Sequence, residues 1–128
     1  NMAIPGIPII YYGDEIAMAG AGDPDNRRMM RFDGLNDLEL ELKKKIEKLI
    51  ELRNNHMALL YGETQILNST DKFIVIRRKY FDDVVTFFIN KGPTYTSSKK
   101  YNKYGTIYEM DAEGYAVTID VNGDIIKL

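Results

Sequence analysis

The chain has 128 residues, with 17 Lys plus Arg against 19 Asp plus Glu for a net charge of −2, one His, no Cys, no Trp and 45% hydrophobic residues. That apolar share suffices for one core, whereas the length falls far short of the about 250 residues of a complete (β/α)8 barrel. The near-neutral charge gives no electrostatic footprint for nucleic acid, and the lack of cysteine removes disulfides, thiolate metal sites and thiol nucleophiles, leaving the compartment undetermined.

The opening twelve residues carry no charge, but Pro5 and Pro8 interrupt them and Asp14 and Glu15 close them. They are too short to span a membrane and lack the basic flank of a signal peptide. Ile7–Tyr12 (IPIIYY) is a continuous apolar run with β-branched and aromatic residues, which predicts a strand buried on both faces, as in a parallel sheet. Asp14 to Gly34 mixes small residues with the polar cluster Asp23-Pro24-Asp25-Asn26-Arg27-Arg28, and Pro24 keeps Asp23 out of helical dihedrals. This predicts a long, structured loop.

The clearest helix follows. Leu38, Leu42, Ile46, Leu49 and Ile50 share one stripe, and charged residues, the Lys43-Lys44-Lys45 run among them, fill the other face. Asn36 is placed as its N-cap and Glu39 as the reaching-back member of a capping box, while Arg53 near the end complements the helix dipole.

Beyond Leu60 the pattern turns to short strands, predicted at 62–67, 72–80, 84–90, 105–110, 115–121 and 125–128. Turns fall at Asp82-Asp83, at 90–93, at Glu113-Gly114 and at Asn122-Gly123, the last pair suited to a type I′ hairpin. Thr94 to Lys103 is polar and reads as a mobile loop. Six short strands with hairpin turns imply an antiparallel sheet or sandwich. A parallel-type strand followed by one helix is half of a βα repeat, with no partner strands here to pair with.

The ordered run from Pro5 to Glu15 (PGIPIIYYGDE), followed by Gly22 to Met30 (GDPDNRRMM), resembles the last βα unit of the alpha-amylase family, glycoside hydrolase family 13. The resemblance is specific over residues 4–32, extends through the helix with its Arg53 and the exit Ala58 to Glu63, and is architectural beyond. It implies an α+β fragment: the terminal βα unit of a TIM barrel over residues 1–58, then an antiparallel β-sandwich C-terminal domain over residues 59–128. It further implies a parent hydrolase acting on alpha-glucosidic bonds of starch and maltodextrins. By position, Asp23 and Arg27 match the pair with which such enzymes hold a glucose unit on the non-reducing side of the cleavage point. The chemistry fits: a carboxylate accepts from vicinal hydroxyls, and a guanidinium fork donates to others while fixing the carboxylate. Loops at the C-terminal ends of barrel strands are where barrel enzymes bind substrate. The bland alternative for the pair is a surface loop salt bridge.

The retaining mechanism needs two carboxylates about 5 to 5.5 Å apart, which the family draws from earlier barrel strands. No residue here is assigned a catalytic role, and the 128 residues alone are expected to be inactive. No cofactor and no metal site is expected: Asp23, Asp25, Asn26 and Asp33 lack the alternating ligands of a calcium loop, and Gly20-Ala21-Gly22 is a lone GxG without a dinucleotide-binding context. His56 has no second histidine to make a metal set or a triad, so capping or exposure is its default. Tyr95, Tyr101, Tyr104, Tyr108 and Tyr115 could stack on sugar rings, although tyrosine is also a good strand residue. The expected partners are an alpha-glucan, the upstream catalytic barrel and, through the orphaned opening strand, a second copy in a homodimer; nucleic acid and membrane are not expected. The alternatives are a stand-alone carbohydrate-binding module, or a parent of the cyclomaltodextrinase, neopullulanase or alpha-glucosidase kind.

Overall fold

The computed structural model describes residues 1–91, 94–101, 107–113 and 116–128. The chain divides into two compact units, one made of residues 7–52 and the other of residues 1–6 with 53–128.

In the first unit two short 3-10 turns, Asp14–Ile16 and Asp25–Arg27, punctuate the long loop before helix α1, Asp37–Asn55, whose last residues belong to the second unit. The capping box forms as the sequence predicts. The Glu39 amide donates to Asn36 Oδ1 at 3.0 Å, and the Asn36 amide donates to Glu39 Oε2 at 2.8 Å. Arg31 reinforces this corner with two bonds to the Glu39 carboxylate, at 3.0 and 3.2 Å. Leu42, Ile46 and Leu49 are half-buried, and Leu38 and Ile50 are exposed. The triple lysine is largely solvated, with Lys45 paired to Glu41 at 2.7 Å.

Ile7–Tyr12 does not form the expected buried strand. It is irregular, and Ile7 and Ile9 are 91% and 77% exposed. A strand needs a neighbour to complete its ladder, and this run belongs to neither of the two sheets formed by the described residues. Ile10, half-buried, lines with Tyr12, Ile46 and Ile50 a groove of about 360 Å³ rimmed by Glu15, Lys43 and Glu47.

In the second unit a short helix α2, Met57–Tyr61, leads into seven strands: β1 Glu63–Ser69, β2 Phe73–Tyr80, β3 Asp83–Asn90, β4 Thr94–Tyr101, β5 Ile107–Glu113, β6 Ala116–Val121 and β7 Asp124–Lys127. They make a five-stranded antiparallel sheet, in the order β1-β2-β3-β6-β7, and a two-stranded sheet of β4 and β5. Two expectations are corrected here. The stretch read as a mobile loop is β4, paired with β5 from Thr94↔Glu113 to Tyr101↔Ile107; its polar composition hid a Thr/Tyr-rich run that suits a strand once a partner supplies the ladder. The β2–β3 turn is Phe81-Asp82, so Asp83 opens β3 opposite Tyr80. The predicted starts at Gly105 and Tyr115 lie outside the described residues.

The central strands are buried on both faces. One face of β2 and β3 carries Phe73, Val75 and Phe88, joined by Leu67 of β1. The other carries Ile76, Val85 and Phe87, with Ile119 and Val121 from β6 alongside. The type I′ turn is present: Asn122 and Gly123 both have positive φ, 51° and 108°, and join Val121 to its partner Asp124.

Arg53, assigned from sequence to the helix dipole, is buried instead. Its guanidinium donates to the carbonyls of Met2 at 2.7 Å, Ile4 at 3.3 Å and Gly6 at 2.5 Å. Arg78 of β2, also buried, donates to Gly62 O at 3.0 Å and Ala3 O at 3.4 Å. Burial, and then the Arg53 charge, lower its pKa. Two cations that hold backbone carbonyls rather than carboxylates thus fasten residues 2–6 within the second unit, Arg53 from the end of α1 and Arg78 from β2. His56 is half-buried, with Nδ1 2.9 Å from Asp83 Oδ1. The same carboxylate takes the Ala58 amide at 2.8 Å at the start of α2 and the Asn122 side-chain amide at 3.1 Å. Among the described residues, no helix is long and apolar enough to cross a membrane.

Candidate functional site

The loop from Gly13 to Gly34 is built on local hydrogen bonds that its acidic residues make to its own backbone. Asp14 accepts the Tyr11 amide at 3.1 Å, and Glu15 accepts the Gly13 amide at 2.8 Å. Gly13 itself stands at φ 93°, a conformation open to glycine without strain. Ile16 is buried beneath this turn. Further on, a Cβ at Gly20 would lie 3.0 Å from the Asn26 Cα, so the missing side chain is what lets the two ends of the polar cluster close on each other.

Asp25 braces that closure. Its carboxylate accepts the Ala21 amide at 2.8 Å and a two-pronged contact from Arg28, with Nε at 2.6 Å and Nη2 at 2.8 Å. The Arg28 fork first, and then the Ala21 amide, hold the Asp25 carboxyl below its ordinary range. The Arg28 carbonyl in turn accepts the Tyr12 hydroxyl at 3.0 Å, tying the far side of the loop to the segment before it.

On this frame sit the two residues singled out from the sequence. Arg27 Nη2 lies 3.1 Å from Asp23 Oδ2 across one 3-10 turn, and the two side chains stay 63% and 65% exposed. The peptide between Asp23 and Pro24 is cis. Tyr11 and Tyr12 stand nearby with ring centroids 4.6 Å apart. The Tyr12 hydroxyl raises the Tyr11 pKa, with smaller upward contributions from burial and from the charges of Tyr12 and Asp23. Asp23 and Arg27 thus stand together in the open, an anionic acceptor beside a planar donor, with Asp23 close enough to Tyr11 for its charge to be felt there. This pair has the polar groups that a hydroxyl-rich ring requires.

Sequence reasoning missed the Asp25–Arg28 fork and the two tyrosines. The i,i+3 spacing of an acid before an arginine could have found the first; the two tyrosines fall in the run whose composition predicts a buried strand. Among the described residues no group of three His, Asp or Glu gathers to hold a metal. The side chains of Tyr95, Tyr101, Tyr104, Tyr108 and Tyr115 lie outside the described residues.

No family model matches the chain. Individual proteins do. It is 36% identical over 110 residues to a cyclomaltodextrin glucanotransferase of Geobacillus stearothermophilus, which covers 86% of the chain and 14% of that protein. It is 33% identical over 122 residues to the glucanotransferase of Thermoanaerobacterium thermosulfurigenes, covering 95% of the chain and 16% of the relative. Against an alpha-amylase of Niallia circulans the identity is 29% over 127 residues, covering 94% of the chain and 24% of the relative. The chain thus spans less than a quarter of the length of each of these relatives. Among solved structures, an Anoxybacillus alpha-amylase superposes with TM-score 0.76 at 30% identity, over 94% of this chain and 30% of that one. The maltogenic amylase of S. marinus gives 0.74 at 29% identity, over 94% of this chain and 18% of that one. On these likenesses in sequence and in fold, the chain belongs to the alpha-amylase family, glycoside hydrolase family 13, and corresponds to a C-terminal region of such enzymes.

Proposed function

We propose that the chain is the end of a retaining alpha-glucan-cleaving enzyme, with residues 1–58 completing its catalytic barrel and residues 59–128 forming its C-terminal β-sandwich domain. The opening run Ile7–Tyr12 is the last barrel strand once its neighbours are present, and α1 is the helix that follows it. Asp23 and Arg27 grip a glucose unit beside the cleavage point, and the observation that carries this reading is their open 3.1 Å pairing on the braced loop. The carboxylate accepts from two neighbouring hydroxyls while the guanidinium donates to a third and holds the carboxylate in place. The two carboxylates of the bond-breaking step come from other parts of the enzyme.

Two measurements test this. The 128-residue protein should release no reducing sugar from starch or maltodextrin; measurable release would end the reading. In an enzyme carrying the whole barrel, Asp23→Ala should lower kcat/KM for maltooligosaccharides by about 10- to 100-fold, the equivalent of one lost charge-assisted contact. An unchanged kcat/KM would remove Asp23 from the site.

A glucanotransferase parent is a second reading. It is favoured by the 36% and 33% identities to two cyclomaltodextrin glucanotransferases. The ratio of cyclic to linear products from the complete enzyme separates it from a hydrolase. Alone, the chain hides Ile7 and Ile9 by pairing with a second copy through residues 7–12. Sedimentation of the chain and of an Ile9→Thr variant tests this, and a wild-type monomer across the accessible concentrations would refute it.

A further inference from the structure

The loop that presents Asp23 and Arg27 carries a second acid and a second arginine, and the four are sorted into two unlike pairs. Asp23 and Arg27 stand 3.1 Å apart with both side chains mostly in solvent. Asp25 turns inward. Its side chain is 38% exposed against 65% for Asp23, and it meets Arg28 at 2.6 and 2.8 Å and the Ala21 amide at 2.8 Å. The chain order interleaves the pairs: Asp23 lies between Ala21 and Asp25, and Arg27 lies between Asp25 and Arg28. Each open residue therefore has a fixed point on either side.

Those points are held from more than one direction. The Asp25 amide donates to Gly22 O at 3.0 Å and the Arg27 amide to Pro24 O at 3.1 Å, closing the turns on which Asp23 and Arg27 sit. Arg28 is held at its side chain by Asp25 and at its carbonyl by the Tyr12 hydroxyl, 3.0 Å away. Asp25 is the hub, since its one carboxylate bonds both a backbone amide and a guanidinium. An exposed ion pair adds little to folding, but a planar fork with short bonds fixes direction as well as distance. A carboxylate and a guanidinium that must meet several hydroxyls at once depend on that direction.

We infer that Asp25 and Arg28 are positioning residues for the sugar grip: they act through Asp23 and Arg27 rather than on the sugar, and their fork sets the backbone that aims the open pair at the glucose unit. This rests on the reading of Asp23 and Arg27 as the gripping pair. The fork also engages the second guanidinium with Asp25 rather than with Asp23.

The test is a kinetic cycle on maltooligosaccharides in an enzyme that carries the whole barrel, with melting followed in parallel. Asp25→Ala and Arg28→Met should each raise KM by about 5- to 10-fold and leave kcat within about 2-fold, because the pair holds the sugar and takes no part in breaking the bond. Melting should shift by less than about 2 °C, as for an exposed ion pair. On an Asp23→Ala, Arg27→Ala background neither substitution should change KM by more than about 2-fold, since nothing is left to aim. Arg28→Lys, which keeps the charge without the fork, should stay closer to Arg28→Met than to wild type.

An unchanged KM in Asp25→Ala overturns the positioning role, and so does full recovery by lysine. A KM rise of equal size on the Asp23→Ala, Arg27→Ala background overturns it too, because Asp25 then acts independently of the pair. So does a KM rise that comes with a melting temperature lowered by more than about 5 °C, the mark of general destabilisation. A neutral Asp23→Ala removes the gripping pair and the positioning role together, whereas a damaged Asp23→Ala beside a neutral Asp25→Ala removes the positioning role alone.

Discussion

Replacing Arg53 by Met keeps most of the side-chain volume and removes the fork that holds residues 2–6. Two of its contacts are short, Met2 O at 2.7 Å and Gly6 O at 2.5 Å, and that to Ile4 O is long at 3.3 Å. Two charge-assisted bonds at about 1.5–3 kcal/mol each give a gross loss of about 3–6 kcal/mol. Two effects oppose it. The cost of keeping a guanidinium away from water vanishes with the charge, and so does the repulsion that lowers the pKa of Arg78. The net destabilisation should be about 2–4 kcal/mol, read as a fall in the urea midpoint at constant m-value, with amide exchange in residues 2–6 accelerating more than in β2 or β3. Arg53→Lys separates the possible causes. A lysine reaches one carbonyl as a point charge and should recover less than half of the loss. Were Arg53 serving the helix dipole alone, lysine would replace it fully. Full rescue by lysine, or a Met variant within about 0.5 kcal/mol of wild type, would refute the clamp.

Asn36→Ala removes the side-chain half of the capping box and should cost about 1 kcal/mol, with fraying at the start of α1 seen by amide exchange. Gly62→Ala would drive a Cβ into the Ala58 carbonyl at the end of α2, and it should lower stability by about 2 kcal/mol or more in urea titration. Burial pushes the Asp83 carboxyl up, but the Ala58 amide, His56 and the Asn122 side chain together outweigh it and hold its pKa below the ordinary value. That stabilisation is complete above the unfolded-state pKa of about 3.9 and is lost as pH falls through the lower folded-state pKa. The melting temperature of the wild type should therefore drop in acid more steeply than that of Asp83→Asn.

What was legible in the sequence was local. Asn36 and Glu39 lie three residues apart and exchange bonds within one helical turn, so their chemistry does not depend on the rest of the fold. Asn122-Gly123 is likewise decided by two φ angles. The strands β2 and β3 were legible because apolar residues run along both faces. Arg53 was not, because its partners lie 47 to 51 residues upstream, and a helix-terminal arginine has a sufficient local reading in the dipole. Asp83 looked like a turn residue for the same reason: its capping of α2 spans 25 residues. At the candidate site the Asp23–Arg27 contact is the surface salt bridge that the residues alone suggest, whereas the bracing by Asp25 depends on how Gly20 lets the loop close.

The run Ile7–Tyr12 shows how apolar composition and strand formation come apart. From Ile7 to Tyr11 its exposure alternates: Ile7, Ile9 and Tyr11 face solvent, while Pro8 and Ile10 are half-buried, and Ile10 lines a groove with Ile46 and Ile50 of α1. Period-two alternation is the signature of an extended chain with one covered face. In a strand meant to stand half in water, the open face would be polar; here it carries two isoleucines and a tyrosine. Composition therefore encodes a second covering surface, and it does so whether or not a ladder has formed. Hydrogen-bond pairing requires a neighbouring strand, but the apolar demand is written in the segment itself. That demand is why the run resembles a buried strand in sequence while remaining irregular in this chain.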